Sequence, residues 1–105
     1  MSIVVEGIMQ TGEVEILPKL IPAAGEDVFT SNFEITEIHL VNESASTVAV
    51  TITDKQATPR QVVPAVTIAA NSDHLRTFQG RLCPGGVNWS ASVDAVVTGY
   101  IRGRQ

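Results

Sequence analysis

Apolar and polar residues alternate along much of this chain with the period of two that is typical of β-strands. The clearest alternation runs over Thr47–Thr53, where two valines and Ile52 predict a buried face and the residues between them an exposed one. Val87–Val93 follows the same pattern and places Trp89 and Val93 together on its apolar face. Both stretches therefore predict strands with one face in a core.

Phe33–Asn42 also alternates, but its phase slips by one residue partway along. The apolar residues before Thr36 hold one phase, and Ile38 and Leu40 hold the other. A slip of one residue turns the following side chains to the opposite face of a sheet. The sequence therefore predicts a β-bulge or a strand start near Thr36-Glu37.

Glycine, proline, asparagine and aspartate separate these stretches at short intervals, as they do in sandwiches and barrels of antiparallel strands. Further strands are predicted at Ile3–Met9, Glu13–Leu17, Val66–Ile68, His74–Gln79 and Val96–Arg102. Connections are predicted at Gln10–Gly12, Ala23–Asp27, Asn42–Ser46, Asp54–Pro64, Ala70–Ser72, Arg81–Gly86 and Asp94-Ala95, the last as a tight hairpin.

Composition agrees with an all-β domain. The 105 residues include 14 Val, 9 Ile and 10 Thr against 5 Leu, and branching at Cβ favours strands over helices. The prediction is a single β-sandwich of seven to eight short antiparallel strands over residues 1–105, with a jelly-roll or an immunoglobulin-like topology. Residues 1–32 are predicted to form an N-terminal ribbon or arm.

Charge and rare residue types exclude several classes of protein. With 17% charged and 44% hydrophobic residues the chain is not disordered, and no uncharged apolar run is long enough to span a membrane. The net charge of -4 argues against nucleic-acid binding. Cys83 is the only cysteine, which rules out an intrachain disulfide and predicts an inert, buried thiol.

Catalytic chemistry has little support in the residues. Ser72, Asp73 and His74 have the residue types of a hydrolase triad, but neighbours on a strand point to opposite faces and cannot assemble one. His39 and His74 are the only histidines, so their spacing defines no closed metal site. The sequence predicts a protein that is not an enzyme and has neither cofactor nor metal.

Charge is divided unevenly along the chain. Residues 1–54 hold nine acidic residues and one basic residue, whereas residues 55–105 hold two acidic and six basic residues. Two explanations stay open at this point. Strands of the two halves can interleave so that the charges pair within one molecule, or acidic and basic surfaces can meet across a subunit interface.

These considerations give a set of candidate interface residues. The apolar, proline-flanked segment Ile16–Pro22 is predicted to be an arm that reaches a neighbouring subunit. Arginine is favoured at interfaces because its planar guanidinium pairs with carboxylates through two hydrogen bonds. Tyr100 shares a strand face with Arg102. The candidates are Leu17, Leu20, Ile21, Arg60, Arg76, Arg81, Tyr100, Arg102 and Arg104.

Turn and strand motifs follow one another in a defined order along Ile38–Val48, Val66–Ser72 and Cys83–Ser92, continuing to Val97–Ile101. These stretches resemble the small β-sandwich structural proteins that decorate the heads or tails of tailed bacteriophages. They share with that family an order of Asn-x-Ser turn, Val/Thr strand, Ala-Asn-Ser turn, Pro-Gly-Gly turn, Ser/Ala strand and Val-x-Gly-x-Ile strand. The resemblance covers residues 33–103.

The resemblance implies a non-enzymatic virion structural protein, such as a capsid decoration or cement protein or a similar head or tail accessory subunit. Its location would be the virion after synthesis in the host cytoplasm. Its partners would be itself and the major capsid or tail proteins, with no nucleic acid and no membrane. A homo-oligomer is expected, and a trimer is favoured because capsids offer three-fold sites. The alternative is a carbohydrate- or host-receptor-binding module of a phage tail or spike, which needs an exposed aromatic cluster around Tyr100.

Overall fold

A computed structural model describes residues 13–105, which form eight β-strands and no helix. The strands are β1 (Glu13–Leu20), β2 (Glu26–Phe29), β3 (Phe33–Asn42), β4 (Val48–Asp54), β5 (Gln61–Ile68), β6 (Ser72–Cys83), β7 (Val87–Ala91) and β8 (Val97–Arg104). The predicted strand at Ile3–Met9 and the predicted turn at Gln10–Gly12 lie outside the described residues. Among the residues described, no helix is long and apolar enough to cross a membrane.

The strands form two antiparallel sheets of four strands each, in the orders β1-β8-β3-β6 and β2-β7-β4-β5. β1 pairs with β8, β2 with β7, β3 with β6 and β4 with β5. The chain thus folds as one long hairpin of four strand pairs that alternate between the two sheets. This is the jelly-roll arrangement. The all-β sandwich is confirmed, and of its two predicted topologies the jelly roll is correct and the immunoglobulin-like one is wrong.

One hydrophobic core fills the space between the sheets. Ile35 and Ile38 enter it from β3, and Val50 and Ile52 enter it from β4. Trp89 of β7 is the largest fully buried side chain, as its position on an apolar strand face predicts. Branched aliphatic side chains thus form a close-packed layer between the sheets, which is the main source of stability.

Two sequence predictions about strand phase are confirmed. β4 alternates buried and half-buried residues along its whole length from Val48 to Asp54. In β3 the register with both neighbouring strands shifts between Ile35 and Glu37, which places the bulge at Thr36. The Thr36 hydroxyl donates a hydrogen bond of 3.2 Å to the carbonyl oxygen of Arg102, so the bulged residue is tied to β8.

The predicted loop over Asp54–Pro64 is too long, because only residues 55–60 separate β4 from β5, which begins at Gln61. Val62 and Val63 are buried in the core, and Pro64 interrupts the alternation that would have predicted a strand. Proline is tolerated here because β5 is an edge strand with one hydrogen-bonding side that need not be paired. The predicted loop over Ala23–Asp27 is likewise too long, because the four-residue β2 begins at Glu26.

Two further connections differ from the prediction. Asp94-Ala95 does not close a hairpin, because β7 and β8 belong to different sheets and the chain crosses between them there. β7 ends at Ala91, so Val93 lies in that crossing and is 40% exposed instead of buried. The predicted turn over Arg81–Gly86 is shorter than expected, because β6 continues to Cys83.

Asp54 ends β4 with a buried carboxylate. Burial raises the pKa of this group, but the backbone amides of Arg60 and Gln56, the Gln56 side chain and the positive charge of Arg81 outweigh it and hold the pKa below 3.8. The Oδ1 atom accepts from the Arg60 amide at 3.0 Å, and Oδ2 accepts from the Gln56 side chain at 2.7 Å. The carboxylate therefore anchors the connection from β4 to β5.

Because this carboxylate must be ionised to accept these hydrogen bonds, the free energy of unfolding depends on pH. Because the pKa of Asp54 is lower in the folded state than in the unfolded state, its contribution is present above pH 3.8 and is lost as the pH falls through the folded-state value. We expect the free energy of unfolding, measured by urea titration, to decline below about pH 4. Asp54→Asn should decline less steeply than the parent over the same range. Parallel pH profiles of the two proteins would contradict the assignment.

Candidate subunit interface

The two outer faces of the sandwich carry different side chains. In β3 the buried residues alternate with residues that point away from the core, and these lie beside outward residues of β6 and β8. We call this outer surface the charged face. Its members are Glu34, Glu37, His39, Asp73, Tyr100, Arg102 and Arg104.

Ion pairs across the strands hold the charged face together. Arg102 Nη2 lies 2.9 Å from Glu37 Oε1, and Arg104 Nε lies 2.8 Å from Glu34 Oε1. Each pair joins a base from the second half of the chain to an acid from the first half. For these four residues the structure supports charge pairing within one molecule. Partly exposed pairs of this kind contribute at most about 1 kcal/mol each to stability.

A third polar pair extends the charged face to the edge of the sheet. His39 Nε2 lies 2.8 Å from Asp73 Oδ2, which joins β3 to β6. Tyr100 lies opposite His39 in the register of β3 with β8 and is half-buried. The surface is therefore continuous from β8 to β6.

Three exposed leucines border the charged face. Leu20 of β1, Leu75 and Leu82 of β6 are between 52% and 56% exposed. Sequence reasoning singled out Leu20 and missed the other two. From Thr77 to Arg81 β6 advances by four residues, while the paired part of β3 advances by two, so β6 bulges at Phe78–Gly80. The bulge shifts the in-and-out alternation of the β6 side chains by one residue. Without knowledge of that shift, strand alternation places Leu75 and Leu82 on opposite faces.

The opposite outer face, on β7, β4 and β5, carries mainly small and hydroxyl-bearing side chains, and at its β2 edge Asn88 and the Asp27–Lys55 ion pair continue the row of Thr53. Those half-buried or exposed on it include Ala49, Thr51, Thr53, Thr67 and Ser90. Protein interfaces are enriched in arginine and aromatic residues and depleted in serine and alanine. By this criterion Tyr100 and the arginines of the charged face resemble an interface, its three acidic residues do not, and the hydroxyl-rich face resembles ordinary solvent-exposed surface.

The remaining arginines lie on one side of the sandwich, where β5 and β6 end their sheets and contact each other. We call Arg60, Arg76 and Arg81 the arginine flank. Each of the other four basic side chains, Lys19, Lys55, Arg102 and Arg104, has a carboxylate oxygen within 3.0 Å. None of the three flank arginines has a carboxylate partner at ion-pair distance among residues 13–105.

Two of the flank arginines are held by contacts within their own strand. The Arg76 guanidinium lies 4.9 Å from the ring centre of Phe78, within the range of a cation–π interaction. The Arg81 guanidinium donates to the carbonyl oxygen of Leu82 at 2.7 Å. These positive charges are therefore fixed in place but not neutralised.

The opposite side of the sandwich, where β1 and β2 end their sheets, is paired differently. Glu26 Oε2 lies 3.0 Å from Lys19 Nζ, and Glu26 Oε1 accepts from Trp89 Nε1 at 3.0 Å. The hydrogen bond from Trp89, and then the contact with Lys19, lower the pKa of Glu26 despite its partial burial. Lys55 and Asn88 likewise lower the pKa of Asp27.

All four sheet edges are built in ways that hinder strand-to-strand association. β1 contains Pro18 within a register shift, and β5 contains Pro64 within a register shift between Val63 and Val66. β2 has four residues, and β6 bulges near Gly80, which has a φ of +107°. Prolines, bulges and short strands are the usual protection of sheet edges against pairing with another chain. Contacts with a partner are therefore expected through side chains.

The predicted interface residues do not all fall on accessible surface. Ile21 is fully buried in the core of its own subunit, so its prediction as an intermolecular contact is wrong. Its amide donates to the carbonyl oxygen of Val97 at 2.9 Å, because the chain turns inward there to reach the second sheet. The side chain of Leu17 lies outside the described set. The structure places Leu20, Tyr100, Arg102 and Arg104 on or beside the charged face and Arg60, Arg76 and Arg81 on the arginine flank.

The residues considered for catalysis are not brought together. Asp73 points outward to His39, while His74 follows it on the side of the buried Leu40. Cys83 is fully buried, and burial raises the pKa of its thiol to about 11. Among residues 13–105, no group of three His, Cys, Asp or Glu side chains is placed to hold a metal ion.

Comparison with known protein families and with curated proteins finds no match. Among solved structures, the chain is similar to the coat protein of Tobacco streak virus, with a TM-score of 0.45 and 12% sequence identity. The similarity covers 92% of this chain and 89% of the coat protein chain. The strand order and the surface chemistry of the chain itself carry the functional proposal.

Proposed function

We propose that the protein is a non-enzymatic structural subunit of a bacteriophage virion, most simply a capsid decoration or cement protein or a related head or tail accessory subunit. In this role it forms a homo-oligomer, for which a trimer is the favoured state, and it binds the major capsid or tail proteins. It is made in the host cytoplasm and functions in the virion.

The observation that carries this proposal is the contrast between the two outer faces of a jelly roll. Jelly rolls occur in viral capsid domains as well as in lectins and cupins, so the fold alone does not decide the function. The charged face supplies arginines, Tyr100 and three bordering leucines in one surface, while the opposite face is mainly small and hydroxylated apart from Asn88 and the Asp27–Lys55 ion pair at its β2 edge. A subunit that packs against other proteins through one face needs this asymmetry.

The glycan-binding alternative receives less support from the aromatic residues. Phe29, Phe33 and Trp89 are buried, and Phe78 lies beneath Arg76 at the other side of β6. Tyr100 is the only aromatic residue of the charged face. Sugar binding through an aromatic platform would have to rest on that single ring.

The test is to compare phage particles that contain the protein with particles from which its gene has been deleted. Particles without it are expected to release their DNA at a lower temperature, and adding back the purified protein should restore the parental release temperature. A fluorescent DNA dye followed during heating measures the release. Unchanged heat release, together with absence of the protein from purified particles by mass spectrometry, would contradict a virion role.

A further inference from the structure

The arginine flank lies on the core side of β6, at the rim of the sandwich. Arg76 and Arg81 lie opposite Ile38 and Ile35 in the register of β3 with β6. Both isoleucines are fully buried, so both arginine side chains leave β6 on the face that is directed towards the second sheet. Because β6 ends its sheet, these side chains reach solvent at the side of the sandwich, where Arg76 is exposed and Arg81 is half-buried.

Arg60 joins the flank from the start of β5. Its carbonyl oxygen accepts from the amide of Asp54 at 3.0 Å, and the amide of Lys55 donates to the carbonyl oxygen of Pro84 at 3.1 Å. Pro84 directly follows the last residue of β6. These two hydrogen bonds place the backbone of the exposed Arg60 near the end of β6 that carries Arg81.

The acidic residues near the flank do not neutralise it. Asp54 is 1% exposed, and its carboxylate already accepts from the Arg60 amide and the Gln56 side chain. Asp73 lies on β6 itself, but it points to the outer face of the sheet and pairs with His39. Within residues 13–105 neither carboxylate is at ion-pair distance from a flank guanidinium. Unpaired positive charge of this kind attracts an anionic partner.

The aromatic residue of the flank favours a protein over a nucleic acid as that partner. Phe78 is half-buried and packs against the core, and the Arg76 guanidinium lies 4.9 Å from the centre of its ring. Binding of single-stranded nucleic acid relies on rings that are open for the stacking of bases. The other four aromatic residues lie in the core or on the charged face and are Phe29, Phe33, Trp89 and Tyr100. The net charge of -4 also opposes a polyanionic strand.

The spacing of the guanidinium groups favours several carboxylates on one extended chain. The β3 partners of Arg76 and Arg81 are three residues apart, so the two arginines are separated by roughly 7 to 10 Å along the strand. Alternate side chains of an extended peptide lie about 7 Å apart on the same side. A single small anion that bridged the two arginines would draw them away from Phe78 and from the Leu82 carbonyl oxygen.

We propose that the arginine flank binds an acidic, extended segment of another protein, with Arg76 and Arg81 each paired with a carboxylate and Arg60 extending the site. For the identity of that protein, a capsid or tail protein, the proposal rests on the proposed function. Because the guanidinium groups on β6 are already held in place, they lose less conformational entropy on binding. Pro64 and the bulge near Gly80 protect both strand edges, so side chains make the contact and the segment is not added as a strand.

A labelled peptide of about ten glutamates tests the site on the full-length protein, with fluorescence anisotropy measured at about 50 mM salt. Arg76→Gln and Arg81→Gln should each weaken the dissociation constant at least about threefold, and together at least about tenfold. Arg60→Gln, at an exposed position outside β6, should also weaken it about threefold. Lys19→Gln removes the same charge on the opposite side, where Lys19 pairs with Glu26, and should bind the peptide like the parent. Unchanged thermal unfolding of each variant, followed by circular dichroism, verifies that the substitutions act on binding.

The other occupants are outcomes of the same test. An oligothymidine of equal length should bind the parent more weakly than the peptide does, and tighter binding would make a nucleic acid the occupant and overturn the proposal. Loss of self-association in Arg76→Gln/Arg81→Gln, measured by sedimentation velocity, would overturn it by making a second copy the occupant. Equal peptide binding by this double variant and the parent, or no binding by the parent, would also overturn it.

The heat-release experiment separates this contact from the wider role. Added to particles that lack the protein, Arg76→Gln/Arg81→Gln should fail to restore the parental release temperature, whereas Lys19→Gln should restore it. Full restoration by the double variant would overturn the flank as the virion contact and leave the virion role in place. If the parent protein itself restores nothing, the proposed function fails, and the peptide titration still decides whether the flank binds acidic segments.

Discussion

Gly99→Ala is expected to lower the free energy of unfolding by about 3 kcal/mol, the upper part of the range for overpacked cores. Gly99 lies on β8 with its backbone directly beneath the indole ring of Trp89. A Cβ at this position would lie 2.5 Å from Trp89 Cζ3, 2.7 Å from Cη2 and 2.9 Å from Ile21 Cδ1. All three atoms belong to fully buried side chains, so none can move away without disturbing the core.

Thermal unfolding monitored by Trp89 fluorescence measures the effect. For a domain of this size about 3 kcal/mol corresponds to a midpoint roughly 15 °C lower. Thr98→Val, an isosteric change on the neighbouring outward position, should shift the free energy of unfolding by less than about 0.5 kcal/mol. A second comparison uses Trp89→Phe as the parent, since phenylalanine lacks the outer edge of the indole ring. In that background the added cost of Gly99→Ala should shrink, and an undiminished cost would exclude the clash as its cause.

The strand positions show what local pattern can and cannot predict in this chain. β3 with its bulge and β4 follow from alternation, because each has one face in the core and the other near solvent. The strand predicted at Val66–Ile68 is the end of β5, and its first part was missed because Pro64 interrupts the pattern; an edge strand tolerates a proline that a central strand would not. Alternation reports burial within one strand, and it says nothing about where in a sheet that strand lies.

The second limit of prediction from the sequence concerns contacts between the two sheets. The sequence places Trp89 on a buried face, but the need for glycine at position 99 arises only once β7 stacks across β8. The uneven charge along the chain predicted acidic and basic surfaces without saying which charges meet. The fold neutralises Arg102 and Arg104 against β3 and leaves Arg76 and Arg81 unpaired, because these two lie opposite the core-facing Ile38 and Ile35, on the other face of the sheet from Glu34 and Glu37.

The sequence predicts a connection at Asn42–Ser46, but it does not reveal the structural role of the Asn42 side chain. The side chain is fully buried where the chain leaves β3 for the other sheet. Its Nδ2 atom donates to the carbonyl oxygens of Ser46 at 2.8 Å and Ile68 at 3.0 Å and lies 3.2 Å from that of Ala69. Its Oδ1 atom accepts from the amide and the hydroxyl of Ser44. One amide group therefore fastens the β3–β4 crossing to the end of β5.

Asn42→Asp is expected to lower the free energy of unfolding by about 4 kcal/mol at pH 7, more than any surface substitution. The change keeps the shape and the Oδ1 contacts, but it turns an oxygen toward carbonyls that Nδ2 now satisfies. A buried carboxylate with no donor on that side is destabilised in its charged form, so its folded-state pKa must exceed the unfolded value of about 3.9. The loss relative to the parent therefore grows as the pH rises through that value and is smaller in acid, where a protonated carboxyl can donate to one carbonyl.

Urea titrations of parent and variant at about pH 3 and at pH 7 measure the two losses, and the difference between them carries the argument because the parent itself weakens in acid. Asn71→Asp makes the same chemical change at an exposed position and should cost less than about 1 kcal/mol at either pH. If Asn42→Asp cost the same at both values, the buried charge would not be the cause, and the amide would matter only through its packing. If the loss of unfolding free energy depends on pH for Asn42→Asp and not for Asn71→Asp, the Asn42 amide is the group that fastens the β3–β4 crossing to the end of β5.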